Sequence, residues 1–172
     1  MEKMLQEINI CSDILRYGKE ILKSDVFRQA AGQKHHHYGT VLEHTINVCV
    51  VSLRLGYQLE SRGIRVNKKD LVQAGLCHDL GLVGRDEKYK TRMEAWKNHP
   101  QESARIAKEL VPDMSPEAED MILSHMWPVA GPPPCNNEGM LLCMAAKYSS
   151  MSEWKKWLTD YGFAARILGQ LD

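Results

Sequence analysis

The seven histidines are the residues of this chain whose types and spacing favour chemistry, because all of them lie between His35 and His125. One of them, His78, is followed directly by the carboxylate Asp79. The five cysteines, at positions 11, 49, 77, 135 and 143, form no CxxC pair and provide no organised set of thiolates. Imidazole and carboxylate without thiolate suit Fe, Mn, Zn, Co or Ni better than a closed structural zinc site. The residue types therefore predict a metal centre.

Three histidines fall on the apolar faces of three different predicted helices. His44 shares a face with Val41 and Val48, His78 ends the segment LCHDLG, and His125 comes one turn after Met121. A single inward histidine is more often a core residue that hydrogen-bonds a carbonyl. Three together need partners for six ring nitrogens, and a shared metal supplies several at once.

Adjacent His78 and Asp79 can both reach a metal only if the helix ends there. We expect Gly81 to provide that ending, as glycine does at many helix C-termini. The pair is then presented by the last turn of one helix and the residue beyond it.

The elements that must position these residues are helices, since apolar residues recur at helical spacing and no stretch alternates with period two. We predict an all-α fold, a single-domain helical bundle over residues 1–172 with a core at about 33–153. An N-terminal helix at 3–22 and a C-terminal helix at 152–168 pack on that core. Between them we predict helices over 40–60, from Asn67 to LCHDLG, from Pro100 in a first turn to 110, from Ser115-Pro116 to His125, and over 138–150.

The composition, 44% apolar and 26% charged over 172 residues, is that of a globular protein. Lys+Arg and Asp+Glu number 22 each, so the formal charge of zero provides no general attraction for nucleic acid or an anionic membrane. No apolar run approaches the roughly 18 residues of a membrane span, and the mixed-charge start is not a secretory signal. We expect a cytoplasmic protein with reduced thiols and neither nucleic acid nor membrane as partner. Trp154 and Trp157 mark an amphipathic face that fits the domain or a second subunit of a homo-oligomer.

The order of the ligands resembles a known family, the HD-domain metal-dependent phosphohydrolases. The matching features are His44, the pair His78-Asp79, the HP dipeptide at His99 and the HMWP stretch at His125, and the resemblance spans about 33–153. It implies a bundle of the HD type and two divalent metal ions, with Fe, Mn, Co, Ni, Zn and Mg all open. His44, His78 and Asp79 would hold one ion, and His99 and His125 the second, with Asp79 bridging.

The resemblance also implies an activity, the hydrolysis of a phosphate ester in a nucleotide or a small phosphorylated metabolite. Two ions about 3.5–4 Å apart would activate a water and stabilise charge on the phosphoryl oxygens, with Asp79 and His99 as catalytic ligands. Two alternatives stay open. The first is an HD-fold diiron oxygenase, because such enzymes share almost the same ligand order. The second is a ligand-binding protein that has the fold but no catalytic activity. Leu82 stands where members with a longer HDxGK signature carry Lys, so a cyclic-dinucleotide substrate is not supported.

One ligand of the family is absent from the sequence. The final Asp falls on Ala146, within AAKYSSMSE, and alanine cannot bind a metal. Glu138 and Glu153 lie about two helical turns away on either side and are no obvious substitutes. An engineered variant, a natural member with one weakened metal, and a binding protein without catalysis all explain the change. Each predicts low occupancy at the His44 metal, with water or a ligand oxygen in the gap.

Five further residues are candidates for substrate binding, each with a structural alternative. His36, eight residues before His44, is a candidate for contact with a substrate phosphate or a metal ligand, although its polar tract is also typical of solvated loops. Arg92 and Lys97 are candidates for phosphate binding from a charged connection, although a solvated charged loop is the slightly favoured alternative. Lys147 follows the lost ligand and resembles the Lys of the closing motif, and a Lys on a helix surface explains it equally well. Trp127 either stacks on a base or packs in the core.

Overall fold

The computed structural model describes residues 2–35, 39–153 and 169. These residues form α-helices and one short 3-10 helix without a β-strand, apart from an isolated bridge between Lys34 and Thr40, which confirms the all-α prediction. The elements are α1 (Glu2–Lys23), α2 (Asp25–Gln29), α3 (Val41–Glu60), α4 (Lys68–Cys77), the 3-10 helix (Leu80–Leu82), α5 (Arg85–Lys88), α6 (Arg92–Leu110), α7 (Pro116–Ser124) and α8 (Asn137–Glu153).

Helix α3 packs against α1, α4 and α8, and α4 packs in turn against α1, α6, α7 and α8. It begins with a capping box, in which the Thr40 hydroxyl accepts from the Glu43 amide and the Glu43 carboxylate accepts from the Thr40 amide. Gly75 of α4 approaches α3 so closely that a Cβ there would lie 3.2 Å from the Cα of Cys49. The close approach of α3 and α4 brings His44 next to the pair His78-Asp79, the residues predicted to hold one of the two ions.

Two predicted helix starts are confirmed by their side-chain caps. The side chain of Asn67 accepts from the Asp70 amide at 3.2 Å and begins α4. Ser115 accepts from the Ala118 amide at 3.0 Å and begins α7, with proline as the first helical residue. Each cap satisfies an amide that has no partner inside the helix.

The prediction that Pro100 lies in the first turn of a helix is wrong. Helix α6 begins at Arg92, because the Thr91 hydroxyl caps it by accepting from the Glu94 amide at 3.1 Å. Pro100 is therefore inside the helix, where it removes one backbone hydrogen bond. The charged stretch that was expected to be irregular contains α5 and the first turns of α6, and His99 lies in the middle of a long helix.

The expected role of Gly81 as a helix C-cap is also wrong. The glycines with positive φ are Gly39, Gly63, Gly84 and Gly131, so Gly81 does not use the left-handed conformation. Helix α4 ends at Cys77 without a left-handed glycine, and the separate 3-10 helix begins directly after His78 and Asp79.

Gly81 is needed for a close crossing between the 3-10 helix and α6. Its amide donates to the Ser103 hydroxyl at 2.9 Å, and a Cβ at this position would lie 2.4 Å from the carbonyl oxygen of His99. The absence of a side chain thus sets the separation between the segment that carries Asp79 and the helix that carries His99.

The terminal regions test the domain prediction only in part. Helix α1 packs against α2, α3 and α4. The predicted helix at 152–168, with Trp154 and Trp157, falls almost wholly outside the described residues, so the single-domain organisation stays a prediction. No helix in the described ranges has the length and apolarity needed to cross a membrane.

We predict that Gly81→Ala destabilises the fold by about 1–3 kcal/mol, because the new methyl group forces α6 away from the 3-10 helix. The measurement is the free energy of unfolding in urea. Gly32→Ala is the matched control, since a Cβ at that exposed position would meet only the Gln29 carbonyl oxygen at 3.6 Å. Equal stability of the two variants would contradict the close crossing.

Candidate metal centre

The carboxylate of Asp79 lies at the centre of a buried cluster of five imidazoles. Each carboxylate oxygen faces its own set of rings, which we name the Oδ2 side (His35, His44, His78) and the Oδ1 side (His99, His125). Oδ2 lies 3.0 Å from the Nε2 of His35 and 3.5 Å from the Nε2 atoms of His44 and His78, while Oδ1 lies 3.1 Å from that of His99 and 3.4 Å from that of His125.

Two groups of potential ligand atoms share Asp79. One contains His35, His44 and Asp79, the other Asp79, His99 and His125, and within each group the atoms lie within 4.8 Å of one another. All five residues are buried. The arrangement suits one cation on each side of a shared carboxylate.

Helix ends deliver several of these side chains to one point. His44 lies in the first turn of α3, His78 is the C-cap of α4, and His125 is the C-cap of α7. Because α4 ends at Cys77, the backbone turns at Asp79, with φ −114° and ψ 7°, and adjacent His78 and Asp79 both face the centre. The expectation that the helix ends at this pair is confirmed.

Three of the rings are held by hydrogen bonds to the carbonyls of their own helices. The Nδ1 atoms of His78, His99 and His125 donate to carbonyl oxygens at 2.9, 3.0 and 2.6 Å, which belong to Gly75, Ala95 and Ile122 respectively. A carbonyl can only accept, so Nδ1 carries the proton and Nε2 presents a lone pair to the centre. Backbone partners of this kind fix the tautomer and orientation of metal-binding histidines.

The lone pairs of these Nε2 atoms therefore point toward one another. The Nε2 atoms of His99 and His125 lie 3.0 Å apart, and both face Asp79. The Nε2 of His78 is fully buried without a hydrogen-bond partner. An unpaired buried acceptor costs about 1–3 kcal/mol, and a cation between these atoms removes that cost. The donor set therefore fits divalent metal ions.

The protonation states agree with metal binding. Burial lowers the pKa of His78 to about 3, against the opposing effect of Asp79, so the ring is neutral at neutral pH. Burial by itself raises the pKa of the Asp79 carboxyl, but the neighbouring imidazoles, His78 foremost, hold it well below its usual range. A neutral imidazole and an ionised carboxylate are the forms that bind a metal.

His35 is a member of the cluster that the sequence did not single out. It is 6% exposed, and its ring stacks on that of His44 with 3.8 Å between centroids. The sequence-based choice within the same tract was His36, which lies outside the described residues. The tract of three histidines was the available signal, but the sequence alone did not show which ring faces the metal site.

Ala146 faces the position where the family's last ligand is expected. Its side chain is buried and lines the cavity above the cluster, together with His44 and His78. The resemblance to the family therefore implies a site that is one carboxylate short.

The cluster forms the floor of a cavity of about 1000 Å³. Among the predicted substrate contacts, Arg92 and Lys147 line it, whereas Lys97 and Trp127 are not among its described lining residues. The proposed roles of these four residues stay predictions. Lining residues that the sequence analysis did not choose include Arg85, Lys90 and Trp96.

Lys147 is tied to the Oδ1 side of the site. Its Nζ lies 3.4 Å from the carbonyl oxygen of His125 and 2.9 Å from the Sγ of Cys143. The Cys143 thiol in turn donates to the carbonyl oxygen of Trp127 at 3.0 Å. Trp127 thus contributes a backbone contact near the cavity, while the Lys147 ammonium adds a positive charge to its wall.

A helical scaffold whose helix ends bring imidazoles and one carboxylate together is that of a protein suited to binding metal ions. The chain belongs to the HD domain family, because the family model HD domain matches residues 41–151, more than half of the chain. Metal-dependent hydrolases are typical of this superfamily. No curated protein and no solved structure matches the chain.

We predict that divalent metal stabilises this protein against heat. Metal at a concentration 100-fold above its Kd adds about 2.7 kcal/mol, which raises Tm by roughly 5–10 °C for a chain of this size. Differential scanning fluorimetry with Mn²⁺, Fe²⁺, Co²⁺, Ni²⁺ and Zn²⁺ measures the shift. Asp79→Asn is the control and is expected to show no shift, since it removes the shared anionic ligand. An unchanged Tm of the unmodified chain with every metal would contradict the site.

Proposed function

We propose that this protein is a metal-dependent phosphohydrolase that hydrolyses a phosphate ester of a nucleotide or small phosphorylated metabolite at a binuclear centre. One observation carries the proposal. Asp79 is shared by two ligand groups at the floor of a cavity with cationic side chains on its walls. Such a site can hold two cations next to a bound phosphate and the water that attacks it.

The metals, when bound, supply Lewis acidity and lower the pKa of water. The residues of the chain hold the ligands in place. The Nδ1–carbonyl hydrogen bonds of His78, His99 and His125 keep three rings directed at the centre. Burial of Asp79 excludes solvent from the shared carboxylate and increases the strength of every electrostatic interaction there. Catalysis in such a site depends on groups that are positioned before the substrate arrives.

The charges lining the cavity favour an anionic substrate. Arg85, Lys90, Arg92 and Lys147 line it, against the carboxylates of Asp79 and Asp86 among the described lining residues. Bound divalent ions add about two positive charges each. A chain with zero formal charge therefore has a locally cationic cavity, which suits a phosphate group.

The mouth of the cavity adds an apolar surface to the cationic one. Trp96 is 43% exposed and Met93, Val129 and Met151 are more than half exposed, and all four line the cavity. An aromatic face beside cations suits a planar ring joined to a phosphate, since aromatic side chains stack on bases. A nucleotide combines these two features, which makes it the preferred substrate class.

We predict metal-dependent hydrolysis of at least one nucleotide or small phosphate ester, which releases inorganic phosphate from a phosphomonoester and a phosphomonoester from a phosphodiester. The assay is a panel of phosphomonoesters and phosphodiesters with several divalent metals, in air and under argon. Asp79→Asn is expected to lower the rate to background, because it weakens both metal positions.

Each other outcome of that panel has a definite meaning. Turnover that requires O₂ and releases no phosphate would contradict the hydrolase and favour the diiron oxygenase. Tight nucleotide binding without turnover, also after Ala146→Asp, would favour the non-catalytic binding protein.

We predict that Arg92→Ala raises KM for the best phosphorylated substrate by about 3- to 10-fold with little change in kcat. The exposed guanidinium contributes a charge-assisted contact to a phosphate that is bound equally in the ground and transition states. Steady-state kinetics measure the split between KM and kcat. Arg62→Ala is the control, since Arg62 is exposed and is not among the cavity-lining residues. Equal KM values for the two variants would remove Arg92 from the substrate site.

A further inference from the structure

We propose that His35 supplies the metal ligand that the family takes from the position of Ala146. The inference rests on the proposed metal centre and adds a ligand to its Oδ2 side. The family match begins at residue 41, so His35 lies outside the part of the chain that the HD domain accounts for.

The His35 ring lies within reach of a cation on the Oδ2 side. Its Nε2 lies 3.0 Å from Asp79 Oδ2, the shortest contact of any imidazole in the cluster with that carboxylate. The ring stacks on His44 with an interplanar angle of 21°, so both rings approach the same carboxylate oxygen from one direction. His35, His44 and Asp79 form one of the two groups with ligand spacing.

Backbone hydrogen bonds hold His35 in this position. Its amide donates to the Gly39 carbonyl oxygen at 3.1 Å, and its own carbonyl oxygen accepts from Arg85 Nη1 at 3.0 Å. The neighbouring bridge between Lys34 and Thr40 joins the segment to the residue that caps α3. The ring is therefore anchored to the start of the helix that carries His44.

The number of ligands explains why a substitute is needed. With Asp at position 146, the Oδ2 side would have four protein ligands, namely His44, His78, Asp79 and that second carboxylate. Ala146 reduces the set to three. The His35 ring restores it to four, and the unpartnered Nε2 of His78 directed into the same side marks a ligand position that is still to be filled by a cation.

The exchange changes the chemistry of the site. A neutral imidazole in place of a carboxylate makes the Oδ2 side one unit more positive and richer in nitrogen. Imidazole ligands favour Fe, Co, Ni or Zn, whereas Mg²⁺ and Ca²⁺ favour carboxylate and carbonyl oxygens. The Oδ2 side is therefore selective for a transition metal and has a larger positive charge facing the phosphate.

The experiment compares metal content and metal affinity among matched variants of the full chain. His35→Ala removes the ligand, and His35→Phe keeps an aromatic ring against His44 but has no lone pair. His37→Ala, in the same tract, is the control. Each is measured alone and combined with Ala146→Asp, by elemental analysis after dialysis and by titration with Co²⁺ followed in the visible absorption spectrum. Circular dichroism establishes that each variant is folded.

We expect His35→Ala and His35→Phe to fall from about two bound ions per chain to about one. The affinity lost should exceed the ~10–100-fold that removal of an outer-sphere partner costs. Ala146→Asp should restore the second ion in both variants, because it returns the family's carboxylate to the same side. His37→Ala should keep both ions.

Three results would overturn the proposal. Both His35 variants could retain two ions at unchanged affinity. His35→Phe alone could retain them, which would reduce His35 to a packing role. Ala146→Asp could fail to restore the lost ion. If the unmodified chain binds no divalent metal at all, the proposed function fails together with this inference; if it binds two and the His35 variants also bind two, only this inference fails.

Discussion

The ionised carboxylate of Asp79, 4% exposed and surrounded by imidazoles, is the interaction on which the arrangement of the bundle depends. Transfer of a charge from water into a protein interior is costly unless partners surround it. Here the surrounding imidazoles come from four separate helices and one loop, each within a few ångströms of the same two oxygen atoms, and a cation bound between them would supply the compensating charge. The fold has to bring these five segments to one point, and their close approaches follow from that requirement.

The means of that approach are small residues and helix ends. Gly75 and Gly81 allow backbones to approach where a methyl group would collide with Cys49 or with the carbonyl oxygen of His99. The ends of α4 and α7 expose the carbonyls of Gly75 and Ile122, which accept from the histidines that follow. The same helix termini that need partners for their carbonyls thus orient the metal ligands. The hydrogen bonds that satisfy the last carbonyls of α4 and α7 therefore also orient the rings of His78 and His125.

The chemistry of the cavity follows from the balance of charge around this centre. A chain without net charge has four cationic side chains and two carboxylates among the described residues of the cavity wall. The resemblance to the family implies a second carboxylate where Ala146 stands, and its absence would shift the balance further toward positive charge. A neutral imidazole from His35 can restore the ligand number without restoring the negative charge. Such a site suits a phosphorylated substrate with an aromatic or apolar portion against Trp96 and Met93.

The sequence by itself determined the helical class and the set of ligand types, because helical periodicity and the order of His and Asp residues are local patterns. His44, His78 and His125 could be chosen since each lies on the apolar face of a predicted helix, and Asp79 because it follows His78, whereas His99 was added by the resemblance to the family. The start of α6 was predicted wrongly because Pro100 was taken as the helix start, although Thr91 and Glu94 have the local spacing of a capped helix N-terminus. Only the tertiary structure distinguished His35 from its neighbours and showed that Gly81 serves a helix crossing. These properties depend on residues that are distant in sequence, such as His99 and Ser103 for Gly81, and Asp79 and Arg85 for His35.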